Sequence, residues 1–130
     1  MAPAHDLMRK ETTMQYLLMT YVNEAGWTAL SKSEQEQGVA AYAAYSEALT
    51  KAGILLGSNR LKGTSAATTV RVANGKSQVL DGPYAESKEQ LGGYFLIDVP
   101  DLDAAIAWGA RCPAASHGVV EVRPVWEMPK

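Results

Sequence analysis

The sequence predicts an α+β fold in which helices cover one face of an antiparallel sheet. Two segments carry strong helix signals, and five others carry strand or hairpin patterns, in the order strand, helix, strand, hairpin, strand, helix, strand. Without the hairpin, this order is βαββαβ, the ferredoxin-like arrangement. A chain of 130 residues suits one domain with its own core. We predict a loose tail over residues 1–12 and the domain over residues 13–130.

The first strand and the first long helix have clear boundaries. Residues 14–22 read MQYLLMTYV, a nearly continuous apolar run with the length of a buried central strand. Ser31 and Glu34 form a capping-box pattern, with serine at the N-cap and glutamate three residues later. A basic last turn and Gly53 then end the periodic segment. These signals predict a helix over about residues 31–52.

The middle of the chain predicts a short strand followed by a hairpin. Residues 54–56 read as a strand that then loosens into a loop. Alternating apolar residues lie on both sides of Asn74-Gly75, a dipeptide typical of two-residue β-turns. We therefore predict an inserted β-hairpin over about residues 67–81.

The second half of the chain predicts the remaining strand, helix and strand. The charged segment 85–90 fits one helical turn, and residues 94–99 read YFLIDV, an apolar strand. Asp101 is the expected N-cap of the second long helix, and Pro113 ends it. Residues 118–126 alternate in hydrophobicity and form the final strand.

The sheet face opposite the helices needs a cover, because the first strand is apolar on both sides. A second subunit that packs its own sheet there would supply that cover. We therefore predict a homodimer with two-fold symmetry, in which two sheets face each other in a barrel-like α+β arrangement.

Composition and charge exclude several classes of function. Lys and Arg total 12 against 14 Asp and Glu, so the net charge of −2 gives no basic surface for direct nucleic-acid binding. No apolar run is long enough to span a membrane. The single cysteine, Cys112, cannot form an internal disulfide, and we expect it to be a small buried residue at a helix end. Without a secretory signal pattern, the sequence predicts a cytoplasmic protein.

The common catalytic and cofactor motifs are missing from the sequence. It has no P-loop, no G-x-G-x-x-G pattern, no C-x-x-C pair and no H-E-x-x-H motif. Two histidines are too few for a histidine-based zinc site, and we predict neither a metal nor another cofactor. His117, in a predicted helix-to-strand loop, is either a ligand contact or an ordinary surface histidine.

The densest polar cluster surrounds a Gly-Pro turn within residues 81–89. Asp81, Glu86 and Lys88 are candidate catalytic residues, because neighbouring carboxylates can differ in pKa and an amine can bind an anionic group. Tyr84 is a candidate for substrate binding. In the alternative interpretation, Asp81 caps the turn and the other charges form a solvated surface.

Two further candidate ligand contacts lie outside this cluster. Tyr42, on the first long helix, either donates a hydrogen bond into a pocket or belongs to the core with a polar tip. Arg123 shares a strand face with Glu121, so it either pairs with that carboxylate or reaches toward the 81–89 turn.

The segment DGPYAESKE at residues 81–89 resembles the DGPFAETKE signature of a family in the YCII-related superfamily, with Tyr84 for Phe and Ser87 for Thr. The resemblance covers about residues 14–127. Further similar segments are Tyr16-Leu17-Leu18-Met19, Gln90-Leu91-Gly92-Gly93-Tyr94, Asp101-Leu102-Asp103, Ala110-Arg111-Cys112-Pro113 and Val120-Glu121-Val122-Arg123-Pro124. It implies a ferredoxin-like α+β fold and a dimer with back-to-back sheets.

The same resemblance implies less about activity, since most members of the family are uncharacterised. Related YCII-type proteins carry a His–Asp pair in a pocket and include an enzyme that eliminates chloride from a chlorinated aromatic compound. Those positions correspond to Tyr42 and to the vicinity of Lys51, so neither residue of the pair is matched in this chain. Many members are encoded beside extracytoplasmic-function sigma factors, which implies a regulatory role.

Two functions are therefore expected. The first is a small-molecule-binding homodimer with a pocket between the sheet, the first long helix and the 81–89 turn. Lyase or isomerase chemistry there would use Asp81 as the acid or base, Lys88 as the anion contact and Tyr42 as a donor. The alternative is a regulatory protein-interaction module whose charged 81–89 surface contacts a sigma factor.

Overall fold

The computed structural model describes residues 13–127, so the predicted tail over residues 1–12 lies outside the described residues. The elements are β1 (Met14–Val22), α1 (Glu24–Thr28), α2 (Lys32–Lys51), β2 (Leu55–Arg60), β3 (Thr68–Ala73), β4 (Lys76–Asp81), β5 (Gln90–Val99), α3 (Leu102–Arg111), α4 (Ala114–His117) and β6 (Val119–Pro124). A short 3-10 turn, Thr64–Ala66, lies between β2 and β3.

The strands form two antiparallel sheets. The larger has the order β2-β5-β1-β6, so its central strands come from opposite halves of the chain. The smaller is the β3–β4 hairpin. The predicted α+β fold with antiparallel sheets is confirmed, and its four helices and strand order are consistent with a ferredoxin-like arrangement.

The hydrophobic core lies between the larger sheet and the helices. Alternate residues of β1 and β5 face the helices, and among them Leu18 and Ile97 are 0% exposed. From α2, the Tyr45 ring meets the Phe95 ring edge-on, with centroids 5.1 Å apart. The Tyr45 hydroxyl donates to the Trp108 carbonyl at 2.6 Å, which satisfies the polar end of this buried ring. Helix α2 is thereby fixed on the sheet.

The predicted capping box fixes the start of α2. The Glu34 backbone N–H donates to the Ser31 hydroxyl at 3.1 Å, and the Ser31 backbone N–H donates to the Glu34 carboxylate at 2.9 Å. These hydrogen bonds hold the pKa of the Glu34 carboxyl below its ordinary value. The predicted Gly53 stop is also present, with a positive φ of 73°.

Ser31→Ala is expected to lower the free energy of unfolding by about 1 kcal/mol, because a helix N–H loses its side-chain acceptor. Urea denaturation followed by circular dichroism measures this change. Ser33→Ala, two residues further into the same exposed helix start, is the matched control and should change stability by less than about 0.5 kcal/mol. Equal losses in both variants would contradict the cap assignment.

Two elements in the first half differ from the prediction. Residues 24–28 form α1, where the sequence indicated only a boundary, because the Asn23 side chain accepts from the Gly26 N–H at 3.2 Å and caps a short helix. Strand β2 continues to Arg60 instead of loosening after residue 56. Pairing with β5 overrides the weak strand propensity of its glycine, serine and asparagine.

Two places in the second half also differ. Residues 85–90 contain bends and the start of β5 rather than a helical turn. Pro113 ends α3 as predicted, but the chain then forms α4, so His117 ends a short helix instead of lying in a loop. The fixed φ of proline is compatible with a helix start, which explains how one residue serves both helices. Cys112, between them, is buried as expected, at 2% exposed.

The β3–β4 hairpin is present as predicted. Asn74 and Gly75 have φ values of 52° and 75°, the positive values that its two-residue turn requires. Three valines share one face of the hairpin, and Val70, Val72 and Val79 are 62%, 66% and 61% exposed. A two-stranded sheet is only marginally stable alone and normally needs packing on an apolar face. The exposed valine face is therefore an unusual surface feature of the protein.

Candidate functional site

The structure distributes the predicted site residues over four places. The 81–89 turn follows β4 of the hairpin, and Tyr42 lies on α2 beside the core. Arg123 lies on the sheet face opposite the helices, since it is paired with Leu17 across β1 and β6. His117 ends α4 and is exposed.

Two hydrogen bonds to the Gly82 backbone connect the start of the 81–89 turn to the β3 side of the hairpin. The Gly82 N–H donates to the Ala67 carbonyl at 2.7 Å, and the Gly82 carbonyl accepts from the Thr69 hydroxyl at 2.8 Å. Gly82 has a φ of 108°, which only glycine adopts without strain. The exposed Asp81 carboxylate makes no hydrogen bond to another described residue, so Asp81 does not cap its own turn as the alternative interpretation expected.

A depression of about 270 Å³ on the hairpin brings part of the cluster together. Asp81 and Tyr84 border it, and the Arg71 guanidinium lies 5.6 Å from the centre of the Tyr84 ring. Glu86 and Lys88 are exposed, do not line it and form no ion pair within residues 13–127. The structure therefore groups Asp81 with Tyr84 and Arg71 rather than with the other predicted catalytic residues.

The remaining two candidates occupy exposed positions away from this depression. Arg123 forms an ion pair with Glu121, as the pairing alternative predicted. Because the sheet separates Arg123 from Tyr42, the two cannot contact one ligand within a protomer. The His117 ring lies 3.4 Å from the Ser116 hydroxyl, which itself donates to a backbone carbonyl at 2.9 Å.

A larger groove of about 490 Å³ lies on the helix side of the molecule, and we call it the Trp27 groove. Residues of α1, α2 and the end of β2 line it: Trp27, Lys32, Gln35, Glu36, Val39 and Arg60. Tyr42 lies one helical turn beyond Gly38 on the same side of α2, next to this lining.

Trp27 is held in place from several directions. Its ring packs on Gly38, where a Cβ atom would lie only 2.8 Å from a ring carbon. A mid-helix glycine costs about 1 kcal/mol relative to alanine, so the close approach of the ring explains its presence. The Gln35 side chain donates to the Trp27 carbonyl at 3.0 Å, and the Arg60 guanidinium lies 4.9 Å from the ring centre.

The charges around the Trp27 groove are unpaired within the described residues. Lys32, Glu36 and Arg60 border the groove, yet none of them forms an ion pair there, which leaves a net positive rim. Burial, with a smaller contribution from Cys112, raises the pKa of Tyr42 to about 12, against the opposing charge of Arg60. Tyr42 is therefore a neutral hydrogen-bond donor at neutral pH, and its hydroxyl makes no hydrogen bond to a described residue.

Comparison with known proteins identifies the family. The YCII-related domain matches residues 14–129. The chain belongs to the YCII-related family. It is also similar to a protein of Rhizobium meliloti (strain 1021), called uncharacterized protein R00369, with 40% identity over 114 residues that cover 86% of this chain and 92% of that protein. The YCII-related resemblance predicted from the sequence is thus confirmed at the level of the superfamily.

The described part of this YCII-related chain offers neither a metal cluster nor a membrane-spanning helix. Among residues 13–127, no group of three or more His, Cys, Asp or Glu side chains is arranged to hold a metal ion. In the same part of the chain, no helix is both long and apolar enough to cross a bilayer.

Sequence reasoning missed three residues of the Trp27 groove in this YCII-related protein. Arg60 is far from Trp27 and Lys32 in the sequence, and the proximity of the three residues depends on α1, which was not predicted. Gly38 was the available signal, because a glycine in the middle of a long helix often marks a close approach. A glycine in a helix does not reveal which side chain packs against it, so Trp27 could not be identified from Gly38 alone.

The half-buried Tyr42 and the buried Tyr45 predict a loss of stability at alkaline pH. Burial raises the pKa of Tyr42 to about 12 and also raises the pKa of Tyr45 above its ordinary value of 10.0. The unfolded chain therefore loses these protons first, and stability falls as the pH rises from about 10 toward 12. Urea denaturation at several pH values should show this slope, and the double variant Tyr42→Phe/Tyr45→Phe should show a smaller one. A double variant with the same pH dependence of stability as the wild-type protein would contradict the assignment of this loss to the two tyrosines.

Proposed function

We propose that this YCII-related protein is a homodimer that binds a small molecule in the Trp27 groove. The observation that carries the proposal is the combination of a fixed tryptophan with unpaired polar groups around one concave surface. Ligand sites typically join apolar lining with a few convergent polar groups. The Trp27 groove offers Trp27 and Val39 as apolar contacts and Arg60 as a polar one.

The sheet face away from the helices supports the homodimer, and we call it the open face. Leu17 pairs with Leu96 and Met19 pairs with Tyr94 across β1 and β5, so four large side chains lie together there. All four are partly exposed in the protomer, and the Glu121–Arg123 ion pair lies beside them. An apolar centre with a charged margin is typical of protein interfaces. Two open faces related by a two-fold axis would give the barrel-like arrangement of back-to-back sheets.

The 81–89 segment supports membership of the DGPFAETKE group within the YCII-related family. A lyase or isomerase reaction is a further proposal, with Asp81 as acid or base and Lys88 as anion contact. Asp81 lines the hairpin depression and not the Trp27 groove, so such a reaction would act on a molecule bound in the depression and would not depend on binding in the groove. Asp81→Asn should abolish that turnover and leave the affinity of the Trp27 groove for its ligand unchanged.

A thermal-shift screen of metabolites tests the binding proposal. We expect at least one compound to raise the unfolding midpoint of the wild-type protein, since a ligand that binds only the folded state stabilises it. Val39→Arg should abolish that shift, because it fills the Trp27 groove from a position that is 51% exposed and tolerates a long side chain.

Two control variants locate the site. Val70→Arg, the same change at a position 62% exposed on the hairpin, should keep the thermal shift. Asp81→Asn should also keep it. A shift lost in Asp81→Asn and kept in Val39→Arg would move the site to the 81–89 turn, and a library that produces no shift would contradict the binding function.

The hairpin favours a second candidate function, the regulatory protein-interaction module. Its face of Val70, Val72 and Val79 groups three exposed apolar side chains, and exposed apolar patches often mark protein interaction sites. We propose that this face, with the 81–89 turn, contacts an extracytoplasmic-function sigma factor. Co-elution of the sigma factor with the wild-type protein but not with Val70→Asp would support this role, and separate elution of the wild-type pair would contradict it.

A further inference from the structure

We infer that the Trp27 groove selects ligands that carry one carboxylate on an apolar body, with Arg60 as the main carboxylate contact. This inference rests on the proposed function, because it names the ligand class of the same groove. It follows from the way in which Arg60 is held and from the balance of charges around it.

The surroundings of Arg60 favour the binding of an anion. The carbon of its guanidinium lies 4.9 Å from the centre of the Trp27 ring, a cation–π contact that needs no hydrogen-bond acceptor. The N–H donors of the guanidinium therefore stay available for a two-point contact with a carboxylate. No described carboxylate forms an ion pair with Arg60. The contact with Trp27 already restricts the Arg60 side chain, which therefore loses less conformational entropy when an anion binds.

Two other arginines in the described chain also lie over aromatic rings, yet neither has the same surroundings. Arg71 lies 5.6 Å from the Tyr84 ring centre and shares its depression with the Asp81 carboxylate. Arg111 lies 4.3 Å from the Trp108 ring centre and lines neither the Trp27 groove nor the hairpin depression. Arg60 alone of the three borders a groove together with a second cation, Lys32.

The remaining lining narrows the ligand class. Glu36 also borders the groove, so its carboxylate offsets one of the two cations and the lining can neutralise one negative charge. A dianion such as phosphate would bring a second negative charge close to the Glu36 carboxylate, which repels it. Trp27 and Val39 supply apolar surface beside the charged groups. A monocarboxylate with an apolar body matches both parts of this lining.

Calorimetric titration with matched probes tests the inference. Phenylacetate is the probe, phenylacetamide is its uncharged counterpart, and acetate carries the charge without the apolar body. We expect phenylacetate to bind at least about tenfold more tightly than either control compound, because hydrogen bonds to a charged group are the stronger kind.

Protein variants locate the contact. Arg60→Gln should weaken phenylacetate binding about tenfold, and Arg60→Lys should recover only part of it, because lysine keeps the charge but not the planar pair of donors. Arg111→Gln, which removes another arginine that lies over an aromatic ring, should leave the affinity unchanged. Unfolding midpoints of all three variants confirm that each protein is folded.

Three results would overturn the inference. They are absence of phenylacetate binding, equal binding of phenylacetamide, and equal weakening by Arg60→Gln and Arg111→Gln. A compound from the metabolite screen that is uncharged and depends on Val39 would at the same time leave the proposed binding function intact. Failure of this inference can therefore be distinguished from failure of the proposed binding function.

Discussion

Met19→Asp is expected to convert the proposed dimer into a monomer of 14.0 kDa. Met19 lies at the centre of the open face, paired with Tyr94 on one side and with Glu121 on the other. The two-fold axis would bury two new carboxylates per dimer, each beside a like charge. An unpaired buried charge costs about 3 kcal/mol or more and the dimer would contain two, so the dissociation constant should rise by well over about a thousandfold.

Sedimentation equilibrium over a range of concentrations measures this change. Val70→Asp is the matched control, because it adds the same charge to a valine that is 62% exposed on the hairpin. The control should remain a dimer. A monomeric Val70→Asp together with a dimeric Met19→Asp would place the interface on the hairpin, and a wild-type protein that is monomeric throughout would contradict the homodimer.

Gly118→Ala should lower the free energy of unfolding by about 3 kcal/mol, at the upper end of the cost of overpacking. Gly118 joins α4 to β6, and a Cβ atom there would lie 2.1 Å from the carbonyl oxygen of Tyr21 in β1. The opposing atom is backbone, so relief requires β1 or the α4–β6 connection to move. Equilibrium urea denaturation measures the loss.

Gly57→Ala is the control for this substitution. Gly57 lies in β2 of the larger sheet, and the substitution adds the same methyl group there. The added Cβ atom would have no neighbouring heavy atom within 4 Å. We expect a change of less than about 1 kcal/mol. Similar losses in the two variants would mean that the close approach at Gly118 is not the cause.

Local signals predicted most of the fold. The Ser31 capping box and the Asn74-Gly75 turn act within a few residues, and the structure forms both as expected. The end of β2 at Arg60 was missed because hydrogen bonds from β5, a distant segment, hold that strand together. The short helix α1 was missed because five residues carry too little periodicity to distinguish a helix from a loop.

The candidate site was predictable only in part. Tyr42 was selected on its residue type and helical position, and it does lie beside a groove. The cluster at residues 81–89 was selected because many polar residues lie close together in the sequence. In the structure, Asp81 lines the hairpin depression, whereas Glu86 and Lys88 do not. The contact between Arg60 and Trp27 joins residues from β2 and α1, so no local pattern contains it.

Mapping a bound compound by NMR tests the central claim most directly. The compound with the largest thermal shift would be titrated into uniformly ¹⁵N-labelled wild-type protein, and amide and indole signals would be followed. Our account predicts that the largest shifts occur at Trp27, Gln35, Val39 and Arg60, around one groove. Shifts confined to residues 81–89, with the Trp27 indole signal unchanged, would contradict it.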